Sequence, residues 1–169
     1  MASTYNIVAP EYILNYIKEV QETTIKDALR KNSKLFRKFL KNIPPYKVDY
    51  AYATDKWTIK EVVQHIIDAE RVFAFRALWF ARKDVSPLPG FEENTWADTL
   101  QGSTREWEDL LKEFKTVRKA TMSLFASFTD EELAYIGTAN NNSTSVAAIG
   151  FLCAGHIKHH IDIIEEKYL

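Results

Sequence analysis

Apolar residues recur along most of this chain at alternating steps of three and four, the spacing that places them on one face of an α-helix. The first seam reads Ile25, Leu29, Asn32, Phe36, Phe39, Ile43 and predicts a helix over 23–43, ended by Pro44-Pro45. A short helical turn over 12–20 precedes it. A second helix opens at "WTIKE", where Thr58 followed by Glu61 forms a capping box, and runs to about Arg82. Its seam is Val62, His65, Ala69, Val72, Arg76, Trp79, widened by Ile59, Val63, Ile66 and Phe73. A long connector follows, "KDVSPLPGFEENTWADTLQG", with a short helix expected near Trp96. The third helix is expected to begin at "STRE", a capping box from Ser103 to Glu106, with the seam Trp107, Leu110, Phe114, Val117, Thr121, Leu124, Phe128. Thr129 with Glu132 caps a short turn, and the asparagine-rich stretch after it reads as a loop. The last helix spans about 144–167, with the seam Val146, Ile149, Cys153, His156, His160, Ile163, Lys167.

Four helices with three-four seams, and no segment competing as a strand, predict an all-α four-helix bundle. A short extra N-terminal helix and the long connector between the second and third helices complete it. At 169 residues the chain is expected to form one domain over 1–169, with a core that needs no disulfide or structural metal. Charge is nearly balanced, 22 basic against 23 acidic residues, which argues against a nucleic-acid partner or an anionic-membrane surface. The basic run "KNSKLFRKFLK" carries apolar residues at helical spacing and reads as a solvated helix face. No apolar run approaches the roughly 20 residues that cross a bilayer, and the N-terminus lacks the pattern of a signal peptide. With a single cysteine, these features place the expected protein in the cytoplasm.

The chemistry begins in the last helix, at "GHIKHH". His156 and His160 lie one turn apart, so both imidazoles share a face. His65 falls on the second helix's seam, so three of the four histidines in the chain face the predicted interior. A buried imidazole without partners costs a few kcal/mol. A divalent cation would satisfy all three at once, at about 2.0–2.1 Å for zinc.

Neighbouring polar residues carry weaker signals. His159 lies off the axis of the pair and reads as a surface residue or one behind the ligands. Cys153, one turn before His156, is a small buried apolar group or a thiolate ligand. Asn32 and Thr121 interrupt apolar seams, either to set register or to line a cavity. Glu61 precedes His65 by one turn and could orient its ring, although the capping box already accounts for it. Arg76 shares His65's face three turns on, either in a pocket or in an ion pair at the far end of the bundle.

"KWTIKEVVQHIIDAERVFAFRALWFARKD", "LPGFEENTW" and "GTANNNSTSVAAIGFLCAGHIKHHIDIIEEKYL" together resemble the DinB/YfiT-like superfamily of bacterial proteins, over roughly two thirds of the chain. The resemblance implies a bundle in which one histidine of the second helix and an HxxxH pair of the last bind a divalent metal. The matching positions are His65, His156 and His160. It also implies zinc or nickel as the metal, with iron or manganese as alternatives, an open site completed by water, and a homodimer. Relatives of that kind divide between metal-dependent thiol transferases and proteins regarded as metal-dependent hydrolases.

Three protein ligands leave an open position, the mark of a catalytic site. Transfer of a low-molecular-weight thiol to an electrophilic small molecule needs a pocket with polar groups for the thiol's tail, for which Asn32, Arg76 and Arg118 are candidates. Hydrolysis by a metal-activated water needs a general base, and the seams offer no carboxylate at the histidine level. That shortage favours thiol transfer. A non-catalytic, stress-associated metal-binding protein is the third reading. In it, Phe91 and Trp96 would anchor an interface and side chains would seal the metal.

Overall fold

The computed structural model describes residues 5–99 and 105–169. Among these residues seven α-helices and one hairpin follow one another: α1 (Glu11–Lys18), α2 (Ile25–Lys41), α3 (Ile59–Ala81), α4 (Glu93–Asp98), α5 (Trp107–Ala126), α6 (Asp130–Ala134), β1 (Ile136–Ala139), β2 (Asn142–Ser145) and α7 (Val146–Lys167). The bundle is α2, α3, α5 and α7. Both α5 and α7 pack against α2 and α3, so the consecutive helices α2 and α3 stand diagonally across the bundle. The segment that joins them, with a single helical turn at Pro45–Lys47, therefore crosses one end. That crossing sets α3 beside α7.

Local sequence explains the boundaries. Thr58 and Glu61 form the predicted capping box, each side chain taking the other's backbone N–H, and Thr129 with Glu132 repeats it at α6. Thr24 and Ser145 cap α2 and α7 through their hydroxyls. The third helix departs from expectation: α5 begins at Trp107 with Glu106 as the residue before it, and Ser103 lies outside the described residues.

The asparagine-rich segment is a hairpin, not a loop. β1 and β2 pair antiparallel, with Ala139 opposite Asn142. Asn140 and Asn141 form the two-residue turn, both with positive φ (49° and 57°), a conformation that asparagine tolerates better than most residues. The connector joins this hairpin: Leu88 N donates to Thr138 O and Asn140 N donates to Leu88 O, each at 2.9 Å.

The seams hold with local slips. On α5 the buried positions include Arg118 and Phe125, each one residue on from the expected Val117 and Leu124. Toward the end of α7, Ile157, Ile161, Ile164 and Tyr168 are buried, while Lys167 is exposed. Helix α7 is buried at every position from Val146 to Ile157, because α1 and the hairpin cover the face that a simple bundle would leave wet. Gly155 permits this: a Cβ there would collide with the Tyr16 carbonyl of α1.

Arg118 was expected near the pocket but is sealed in the core, 1% exposed. Its guanidinium pairs with Glu70 (Nη2 to Oε2, 2.7 Å) and donates to the carbonyl of Cys153 at 2.8 Å and, at 3.4 Å, to that of Leu29. One side chain thus ties α5 to α3, α7 and α2. Asn32 is buried too, its amide donating to Ala28 O within its own helix, so it does not reach the cavity. Thr121 likewise donates to Val117 O.

Candidate metal centre

Helices α3 and α7 bring the three histidines together. The Nε2 atoms of His65 and His160 lie 3.1 and 3.0 Å from His156 Nε2. The three form a cluster whose nitrogens all fall within 4.8 Å of one another. Ring planes are steeply inclined, 90° between His156 and His160 and 67° between His65 and His156, so the rings converge by their edges and do not stack.

Mutual hydrogen bonding cannot satisfy this arrangement. A neutral imidazole carries one N–H, and His156 Nε2 faces two other nitrogens at once. Burial holds all three rings in the neutral form: His65 is lowered to about 4 and His160 to about 3, and His156 falls well below its ordinary value, burial being the largest cause in each case. Three lone pairs then point at one place. Tetrahedral ligation at about 2.05 Å requires nitrogens about 3.3 Å apart, close to the observed spacing. The cluster can hold a divalent cation. His160 Nδ1, on the other edge of its ring, is buried with no hydrogen-bond partner among the described residues.

The histidines are not sealed in. A cavity of about 350 Å³ opens onto them, walled by Tyr12, Ile13 and Tyr16 of α1, by Ala69, Phe73 and Arg76 of α3, and by Leu152 of α7. Trp57, Phe91, Glu93, Asn94 and Asn140 close it from the flanking segments. Trp57 lies against His65, ring centroids 5.0 Å apart. Tyr16 packs edge-on against His156 at 5.7 Å, and burial raises its phenol above the ordinary value.

Other expectations fare differently. Glu61 is committed to the cap: Thr58 N donates to its Oε2 at 2.7 Å, so it does not orient His65. His159 packs against Tyr16, ring centroids 5.0 Å apart, and faces a separate cleft with Asn15, Glu19 and Asp162. Cys153 is buried in the core and burial pushes its thiol up, so it contributes no ligand to the cluster. Arg76 does line the cavity, and its expected alternative as one half of an ion pair is not met among the described residues, its guanidinium donating instead to Pro89 O. Phe91 is cavity wall, and Trp96 packs against it at a tilt of 43°, ring centroids 4.9 Å apart.

The seams did not disclose Glu93. It sits in the first turn of α4, in the connector, and its charge acts on both His65 and Tyr16. Periodicity cannot find such a residue, because a connector's position over the bundle is set by tertiary pairing, here with the hairpin.

Comparison with known proteins agrees with this architecture. YfiT from Bacillus subtilis superposes with a TM-score of 0.70 at 16% identity, covering 94% of this chain and 87% of that one. It is described as a probable metal-dependent hydrolase with an unusual four-helix bundle topology. Two proteins bearing the name "putative metal-dependent hydrolase", from Geobacillus thermodenitrificans and Bacillus licheniformis, are each 24% identical over 135 residues. Those alignments span 79% of this chain, and 76% and 77% of the two relatives. The model of the DinB superfamily matches residues 28–164, a stretch that holds most or all of each bundle helix and all three clustered histidines, and the chain belongs to that superfamily.

Proposed function

We propose that this chain is a metal-dependent hydrolase of small organic substrates, with His65, His156 and His160 as its metal ligands. The observation that carries the reading is the cavity opening onto the three converging nitrogens. A metal confined to a structural or storage role would be enclosed by side chains. The names of the two bacterial relatives and the description of YfiT point the same way. An all-imidazole ligand set suits zinc or nickel better than the oxygen-preferring ions, and iron or manganese would be the less favoured occupants.

A divalent cation in such a site supplies Lewis acidity toward a carbonyl or phosphoryl oxygen and lowers the pKa of water. The chain's own groups supply the rest. The three imidazoles stay neutral because they are buried, which keeps their lone pairs available down to acidic pH. Glu93 offers a carboxylate oxygen on the cavity wall to take the proton that an attacking water releases. The Tyr16 phenol, raised by burial, keeps its proton and can donate to substrate oxygen. Phe73, Phe91 and Leu152 exclude bulk water from one side.

Thiol transfer would use the same centre. The case for it rests on the lack of a carboxylate on the seams at the histidine level, and Glu93, on the wall of the same cavity and acting by charge on His65, weakens that case. Zinc-loaded protein offered ester, amide and phosphoester panels, with and without low-molecular-weight thiols, separates the two. Hydrolysis without thiol that disappears in His160→Ala supports the proposal. Turnover that requires a thiol overturns it.

A further inference from the structure

The cavity has a second polar end, which the hydrolytic chemistry does not use. Arg76 lies on the same face of α3 as His65, three turns further on, about 16 Å of axial rise. It lines the same cavity. Its guanidinium donates from Nη2 to Pro89 O at 2.9 Å and lies 5.7 Å from the Phe91 ring centroid. These two contacts hold the group in place but provide no counter-charge.

Three other arginines of the bundle helices and their flanks are paired. Arg71 reaches Asp68 and Glu113, Arg82 reaches Glu132, and Arg118 reaches Glu70. Arg76 makes no ion pair with any described residue. A half-buried cation without an anion is costly, and burial lowers the guanidinium from its ordinary value. The unused donors form a planar fork that matches a carboxylate.

Along α3, Ala69 and Phe73 separate this fork from His65, and with Phe91 and Leu152 they give the cavity an apolar side, opposite a wall that includes the uncharged polar groups of Tyr12, Asn94 and Asn140. Glu93, the acid of the cavity, acts on the histidine end and would repel an anion placed there. The two ends of the cavity are therefore chemically distinct, and the α3 residues between them, Ala69 and Phe73, are apolar and uncharged.

The geometry points to a substrate class: an ester or amide carrying a terminal carboxylate beyond an apolar spacer, with the carboxylate on Arg76 and the scissile carbonyl at the three histidines. The inference rests on the hydrolytic reading for its scissile bond, but the anchor itself can be tested without turnover.

N-benzoyl-aminohexanoate and its matching terminal carboxamide are titrated calorimetrically into zinc-loaded full-length chain, its Arg76→Met and Arg76→Lys variants, and His160→Ala. The carboxylate is expected to bind about tenfold more tightly than the carboxamide to the parent protein, the scale of a charge-assisted pair. The ratio should fall to about one in Arg76→Met, recover in part in Arg76→Lys, and survive in His160→Ala. A ratio near one in the parent, or failure of both probes to bind at millimolar concentration, overturns the proposal. So does a preference kept by Arg76→Met and lost in His160→Ala, which would put the carboxylate on the metal. Thermal melts confirm that each variant is folded. Hydrolysis of an ester analogue, followed in parallel, keeps the two readings apart: selectivity without turnover removes only the hydrolase, and turnover without selectivity removes only the anchor.

Discussion

His156 stands between the other two clustered histidines, its Nε2 about 3 Å from each, so it is the residue on which the cluster depends most. Its replacement by alanine is expected to weaken zinc binding by at least a hundredfold, and His160→Ala by a similar factor, read by competition with a chromogenic chelator. Equal affinity in variants and parent would remove the site. The same burial makes metal-free protein acid-sensitive. The unfolded chain protonates these imidazoles near 6.5, whereas the folded chain resists until about 4 at His65 and about 3 at His160. The unfolded state therefore binds more protons between those values, and stability falls as pH falls through that window. Urea unfolding of the metal-free protein at pH 7 and pH 5 should give the lower midpoint at pH 5. Cys153, buried with its thiol pushed up, is expected to react with an aromatic disulfide reagent only after unfolding. These three histidines were legible in the sequence because imidazoles on apolar seams are conspicuous. Glu70 was not, since an acid beside a seam reads as solvated until its partner is known.

At the scale of helices and strands, periodicity located each bundle helix and the capping boxes at Thr58 and Thr129, because both signals are local. It missed the hairpin, whose strands have only four residues each and whose turn is written in asparagine rather than glycine. It also misplaced Arg118, because a seam does not reveal which helices adjoin. The diagonal placement of α2 and α3 puts Glu70 opposite Arg118 and converts an expected pocket residue into an interior tie. Breaking that tie with Glu70→Ala leaves a buried, unpaired guanidinium, and a loss of about 3–5 kcal/mol is expected in chemical denaturation. The double variant Glu70→Leu with Arg118→Met should recover much of it, since apolar side chains of similar volume replace a buried pair at little cost. At the contact of α1 with α7, Gly155→Ala is expected to push α1 outward. Because Tyr12 and Tyr16 belong to α1 and line the cavity, zinc binding should persist while calorimetric affinity for cavity ligands drops.

Across the whole molecule, labour is divided by depth. The three clustered histidines come from α3 and α7, two long helices that also carry much of the core. The cavity's outer walls come from α1, the connector and the hairpin turn, short pieces laid over that frame. Among the described residues no helix is long and apolar enough to cross a membrane, in keeping with the polar outer faces of the bundle. Helix α7 is both the axis of the fold and the bearer of two of the clustered histidines. A chain built this way can exchange the pieces that greet a molecule while its reactive core stays untouched. New selectivity should therefore be within reach of changes in the outer coverings alone, whereas a change along the central rod would cost chemistry and folding together.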